Sequence, residues 1–385
     1  RMVSDVPLGA FLSGGIDSST IVAIMQSQSE RPINTFTIGF HEREFNETVY
    51  AKKVAEHLGT NHTELYVTPR EAMDVIPKLP EMYDEPFADS SQIPTHLISA
   101  LARRHVTVAL SGDGGDELFA GYNRYILARK HWNFLRSLPL GLRKRISGLM
   151  GRVGGNRFEN IYRQFEFILR GKSRISLPAE KYEKAEKIIS MSGIDEIYKR
   201  LVSIVYMPEQ YLISGTEYSS HLDNVSLWNH SKDYIYNMQK LDLLTYLPDD
   251  LLVKVDRAAM AVSLETRVPF LDHEIVEFVL GLPMDYKLKN NQGKHLLRKV
   301  LYRHVPKEIM ERPKMGFTVP LGKWLKGPLK CWASNLIEPN KLKDEGYFDP
   351  DPVMDMWNEH LNGRANWGHQ LWNLLMFQSW LKSNN

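Results

Sequence analysis

One cysteine, Cys331, in 385 residues leaves no partner for an internal disulfide, no CxxC redox pair and no thiolate zinc cluster. Long apolar runs are missing too. No stretch reaches the ~18 residues that a bilayer-spanning helix requires, and no leader-like segment opens the sequence. Charge of one sign is scarce in net terms: 48 Lys and Arg face 46 Asp and Glu, for +2. That balance removes any global pull toward nucleic acid or an acidic membrane. A cytoplasmic protein that engages neither is the expectation. What remains is 43% hydrophobic and 24% charged, an ordinary globular balance with length for two domains.

The most informative stretch is Ser13-Gly14-Gly15-Ile16-Asp17-Ser18-Ser19. An apolar run at 6–12 leads into it and a helical pattern at 20–28 follows, so the unit is strand, Gly-rich turn, helix. The glycines permit a sharp turn with N–H groups facing outward. The helix start adds positive dipole, and the hydroxyls of Ser13, Ser18 and Ser19 add donors, which together make a cradle for phosphate. Asp17 inside such a nest calls for a cation, and a carboxylate beside phosphate reads as a magnesium ligand. No Gly-Lys-Ser/Thr closes the loop and the dinucleotide glycine spacing is absent. The heptapeptide resembles the SGGxDS loop of the PP-loop ATP pyrophosphatases.

Strand and helix patterns alternate through the first part. Strands are expected at 33–40, 62–67 and 106–110, and helices at 46–58 (stopped by Gly59), 69–83 (opened by Thr68) and 93–104. The alternation argues an α/β fold: a parallel sheet with helices on both faces and ligands at the carboxyl ends of its strands. A second Gly-rich turn, Ser111-Gly112-Asp113-Gly114-Gly115-Asp116-Glu117, follows the strand at 106–110. Its three carboxylates repel one another and need a cation or a proton to balance them.

After Asn123 strand signals fade and helices are expected at 194–206, 231–247, 248–261, 294–304 and 367–381, with Asp272 capping one at 274–280. Residues 124–174 hold thirteen Lys and Arg against Glu159 and Glu166, either a polyanion-binding face or, the favoured reading, a mixed helical surface. The division drawn from these patterns is an ATP-binding core at 1–122 and a mainly helical region at 123–385 that completes the site.

Ordered blocks then give a resemblance that covers nearly the whole chain. They are the two Gly-rich motifs, Asp84-Glu85-Pro86-Phe87-Ala88-Asp89-Ser90-Ser91, Lys254-Val255-Asp256-Arg257, Leu264-Glu265-Thr266-Arg267-Val268-Pro269-Phe270-Leu271-Asp272 and Lys314-Met315-Gly316-Phe317. In these blocks the chain resembles the synthetase half of the glutamine-dependent asparagine synthetase family. The resemblance implies a PP-loop sandwich followed by helices, with ATP and Mg2+ as cofactors. It implies a ligase that adenylates the side-chain carboxylate of aspartate, releases pyrophosphate and lets ammonia displace AMP. In the whole family protein a glutaminase domain, opening on a catalytic cysteine, makes the ammonia from glutamine. It would lie upstream of Arg1, so the chain is expected to be a fragment; a homodimer is left open as its assembly.

The resemblance also implies roles. Ser13, Gly14, Gly15, Ser18 and Ser19 would hold the β- and γ-phosphates, and Asp17 and Asp116 the metal. Leu12, Ile38 and Gly39 would offer backbone to adenine and ribose. Ser111 and Gly112 would bracket the α-phosphate. Asp113 would take a proton from the attacking ammonium, and Lys314 would bring positive charge to the α-phosphorus. Glu117, Lys254, Asp256, Arg257 and Arg267 fall on the substrate side, the last four equally readable as structural ion pairs. Cys331 reads as a buried structural thiol. Competing functions are amide formation on another carboxylate such as a sugar acid, a PP-loop RNA-modifying enzyme, and a non-catalytic nucleotide-binding domain.

Overall fold

The computed structural model describes residues 1–40, 47–154, 157–158, 178–228, 231, 233–311 and 319–384. Five strands form one parallel sheet in the order β3-β2-β1-β4-β5: β1 Leu8–Phe11, β2 Asn34–Phe40, β3 Asn61–Val67, β4 Val108–Leu110 and β5 Glu265–Arg267. The first three run outward in one direction, and β4 then pairs with the other edge of β1. The order therefore reverses between β1 and β4, which opens a crevice at their carboxyl ends.

Side chains alternate across the sheet, so each face has its own core. Ala10, Leu12, Val108 and Leu110 pack with helices α1 (Ile16–Ser27) and α2 (Thr48–Leu58). Phe36, Ile38 and Ala109 pack on the other face with α3 (Gln92–Arg103) and the C-terminal helices, including the buried Trp324, Trp357 and Trp372. Gly59 ends α2 in the left-handed conformation, and Thr68 forms a reciprocal capping box with Glu71. Asp272 caps His273–Gly281 through the Glu274 N–H.

Several expectations need correction. The helix expected over 69–83 is three short pieces, Pro69–Met73, Ile76–Lys78 and Leu79–Met82. Pro77 and Pro80 lack the N–H that a continuous helix needs there. The helix expected at 231–247 is observed at Tyr234–Leu244, and a π-helical turn, Leu247–Leu252, leads into Val253–Met260. β5 was not expected as a strand. Cys331, expected to be buried, is exposed.

The chain divides into two compact units: Arg1–Tyr122 with Met207–His221 and Gln239–Asn385, and Asn123–Tyr206 with Leu222–Met238. Most of the region after Tyr122 thus groups with the sheet, because it supplies β5 and side chains to both cores. The second unit is helical, with Tyr125 stacked on Tyr198 inside it and Trp228 meeting Tyr198 edge-on. Within it Arg143 is buried and donates to the Met191 carbonyl at 2.6 Å, so this member of the basic stretch is a structural brace. The part of that stretch at 159–174 lies outside the described residues.

Buried His360 ties the C-terminal helices together. Its Nε2 donates to the Gly322 carbonyl at 3.1 Å, and its Nδ1 accepts from the Trp367 N–H at 3.2 Å. This pairing needs the neutral ring, because a proton on Nδ1 would face another N–H. Burial, and then Lys326, lower its pKa below 6.5. The unfolded ring therefore protonates first. The stability contributed by His360 is present above 6.5 and is lost as pH falls from there toward the lowered folded value. The melting temperature should decline through this range, and His360→Phe should show a shallower decline from a lower starting point. Parallel slopes for the two proteins would remove His360 from this role.

Candidate active site

The two Gly-rich motifs begin at neighbouring strand ends, one after β1 and one after β4, and they pack directly on each other. A Cβ on Gly112 would lie 2.7 Å from the Ser18 nitrogen, a distance only glycine avoids. In the first motif Gly14 takes φ +73. The Ser13 and Ser18 hydroxyls lie 2.9 Å apart, and the Gly15 N–H donates to Ser13 Oγ at 3.2 Å. Gly15 is the N-cap of α1 and brings no side-chain cap, so the first-turn N–H groups lack that partner. Ser19 Oγ is buried, with no hydrogen-bond partner among the described residues. A helix start without a capping side chain, beside a buried hydroxyl without a partner, is a donor-rich surface suited to an anion.

Leu12 continues β1 by donating its N–H to the Phe36 carbonyl at 2.9 Å, and the ladder between β1 and β2 ends there. Ile38 and Gly39 lie beyond that end and pair with Leu65 and Tyr66 of β3.

Asp17 and Asp116 converge on one cation. The Lys294 ammonium contacts Asp17 Oδ2 and lies 2.7 Å from Asp116 Oδ1. Burial works against that charge, yet the two carboxylates outweigh it and raise the lysine pKa. Asp113 accepts from Ser111 Oγ at 2.8 Å. Removal from water pushes the Asp113 carboxyl above its usual range, while nearby Lys254 and the Ser111 bond pull it back. A carboxylate made more basic in this way is suited to accept a proton at neutral pH.

Lys254 is buried and paired with Asp89 at 2.7 Å. Asp89 also accepts from the Ser91 N–H and hydroxyl, each at 2.8 Å. The pair stays ionised: burial opposes both charges, and each holds the other in its charged form.

Other candidates stand apart. Glu117 is 1% exposed and accepts from Tyr122 Oη at 2.6 Å; burial raises its pKa to about 7. Its carboxyl is withdrawn from solvent, and neighbouring Asp116 adds to the rise. The exposed Arg257 bridges Asp84 at 2.9 Å and Asp256 at 2.6 Å. Arg267 turns its guanidinium to Glu265 and to the carbonyls of Arg1 and Val3, while its own carbonyl accepts from the Ser111 N–H at 2.9 Å. These geometries suit the structural reading of Asp256, Arg257 and Arg267. Lys314, with Met315, Gly316 and Phe317, lies outside the described residues.

The sequence model of asparagine synthase matches residues 1–382. The chain belongs to the asparagine synthase family. It is 34% identical over 388 residues to asparagine synthetase [glutamine-hydrolyzing] 1 of Bacillus subtilis, covering 100% of this chain and 57% of that protein. A Mycobacterium tuberculosis protein provisionally named as a glutamine-hydrolysing asparagine synthetase is 35% identical over 389 residues, with 99% and 55% covered. The human asparagine synthetase [glutamine-hydrolyzing] is 25% identical over 402 residues, with 97% and 52% covered. The chain spans about half the length of the curated relatives it matches.

Lys294 was not singled out from the sequence of this family member, although a signal was there. The Asn290-Asn291-Gln292-Gly293 turn places a lysine at a helix N-cap, where Ser or Asp is favoured and positive charge opposes the dipole. Asp89 stood in a quoted block without a role.

Proposed function

We propose that the chain performs ATP-dependent amide synthesis: adenylation of the side-chain carboxylate of aspartate with release of pyrophosphate, then attack by ammonia to give asparagine and AMP. The observation that carries this reading is the meeting of the two Gly-rich motifs at the β1/β4 crevice, with Asp17 and Asp116 drawn onto a single cation.

The Ser13, Ser18 and Ser19 hydroxyls and the first-turn N–H groups of α1 bind the β- and γ-phosphates. Backbone at Leu12, Ile38 and Gly39 receives adenine and ribose. Ser111 and Gly112 bracket the α-phosphate. The residues also fit a divalent ion. Two carboxylates from different motifs already converge on an ammonium, and Mg2+ commonly takes one or two carboxylates together with phosphate oxygens and water. Asp17 and Asp116 would hold Mg2+, which would supply positive charge to the departing pyrophosphate. Asp113 accepts a proton from the nitrogen as the amide forms. Lys314 places positive charge against the α-phosphorus. The buried Lys254–Asp89 pair borders Asp113 and fixes the local charge where the acceptor enters.

ATP–pyrophosphate exchange measured with aspartate, sugar acids, tRNA or no acceptor tests the assignment. Exchange that depends on aspartate is expected. Exchange driven by a sugar acid or by tRNA would transfer the reading to that acceptor, and ATP binding without exchange would make this a nucleotide-binding module.

A further inference from the structure

Lys294 reaches the crevice through an unusual fit. It is a non-glycine residue at φ +61, its N–H donates to the Phe119 carbonyl at 2.8 Å, and its side chain is almost fully buried. A Cβ on Gly121 would collide with both Asp116 Oδ1 and Lys294 Cε. Left-handed backbone is unfavourable for a residue with a side chain, so the surrounding packing holds this turn in place. The outcome is an ammonium fixed in the space between the two carboxylates proposed to bind metal.

We propose that Lys294 is the resident cation of the Asp17–Asp116 pair, so that a divalent ion enters this site together with a nucleotide and not ahead of it. The inference rests on the nucleotide reading given above. A metal ion arriving alone must displace the ammonium from both carboxylates, leaving a buried positive charge without an anion, which is strongly unfavourable. A polyphosphate arriving with the metal supplies that anion, because the cradle beginning at Ser13 adjoins Asp17. Lys294 also explains how two carboxylates from different motifs stay close before any ligand is present: each repels the other, and the ammonium compensates both.

Mn2+ serves as the probe, its free concentration followed by electron paramagnetic resonance, with a non-hydrolysable ATP analogue bridged by carbon between the α- and β-phosphorus. Wild-type protein should bind Mn2+ weakly by itself and about a hundredfold more tightly with the analogue, the change expected when two or three kcal/mol of unpaired charge is avoided. Lys294→Gln should bind Mn2+ alone at least about tenfold more tightly than wild type, and adding Asp116→Asn to that variant should abolish the gain. Equal Mn2+ affinity for wild type and Lys294→Gln without nucleotide would overturn the inference. So would wild-type protein that holds Mn2+ alone as tightly as with the analogue, a result that stands even if Lys294→Gln does not fold. Protein that binds the analogue under no condition, with or without Mn2+, would instead overturn the nucleotide reading and this inference with it.

Discussion

Asp17→Asn is expected to lower aspartate-dependent ATP–pyrophosphate exchange by about a hundredfold or more, because losing one charged ligand forfeits several kcal/mol of charge stabilisation on the leaving group. Asn keeps an oxygen of similar size and removes the charge. The fold should survive: the Lys294 ammonium retains Asp116 at 2.7 Å, so no buried cation is left bare. A modest drop in melting temperature is nevertheless expected, since Asp17 is only 18% exposed at its side chain and belongs to the ion cluster. Exchange rates at saturating Mg2+, read beside circular dichroism and melting curves, separate the two effects. Exchange at the parent rate would deny Asp17 any part in metal binding, and a collapse of the fold would make it a structural residue.

Supplied with ATP, Mg2+ and aspartate, the 385-residue chain is expected to form asparagine from ammonium and none from glutamine. Opening the glutamine amide needs an activated nucleophile, typically a thiolate or a hydroxyl beside a base. The single thiol, Cys331, is exposed on Lys330–Leu336. That helix packs with Leu321–Lys326 and Gly368–Asn384, on elements other than the β1 and β4 ends. On the reading proposed above, adenylation and nitrogen attack, by contrast, draw on residues this chain contains. Asparagine and glutamate are assayed with each nitrogen source. Glutamate released from glutamine, and lost in Cys331→Ser, would overturn the expectation. Failure with ammonium while exchange persists would point to a different carboxylate acceptor.

What could be read from the sequence was what the chain writes locally. The cradle from Ser13 to Ser19 is contiguous, and its glycines and hydroxyls announce strand, turn and helix within a few residues. The second motif is equally local, and the alternation before Tyr122 implied the parallel sheet. Lys294 was hard to single out because its partner Asp17 lies 277 residues away and it is one of several basic residues in its neighbourhood, among them Lys287, Lys289, Arg298 and Lys299; only its place at a helix N-cap marked it. β5 was hidden because three residues are too few to show a two-residue alternation, and its pairing with β4 is decided by tertiary structure. The pairing of Asp89 with Lys254 joined two blocks that were each visible and gave no hint of the other. Pro77 and Pro80 are a different case: the letters that break the helix at 69–83 were in plain view.

The position of β5 has a consequence for how this protein is made. Leu110 pairs with Arg267, and the Ser111 N–H waits for the Arg267 carbonyl. A ribosome adding about 5–20 residues per second leaves that interval open for roughly ten seconds or more after β4 emerges. Throughout it, the nascent chain shows a bare strand edge beside the forming β1/β4 crevice, the kind of edge on which a second chain can nucleate. Because β5 follows β4 only after a long stretch of chain, slower elongation between these two segments is expected to lower soluble yield without changing the stability of the finished fold.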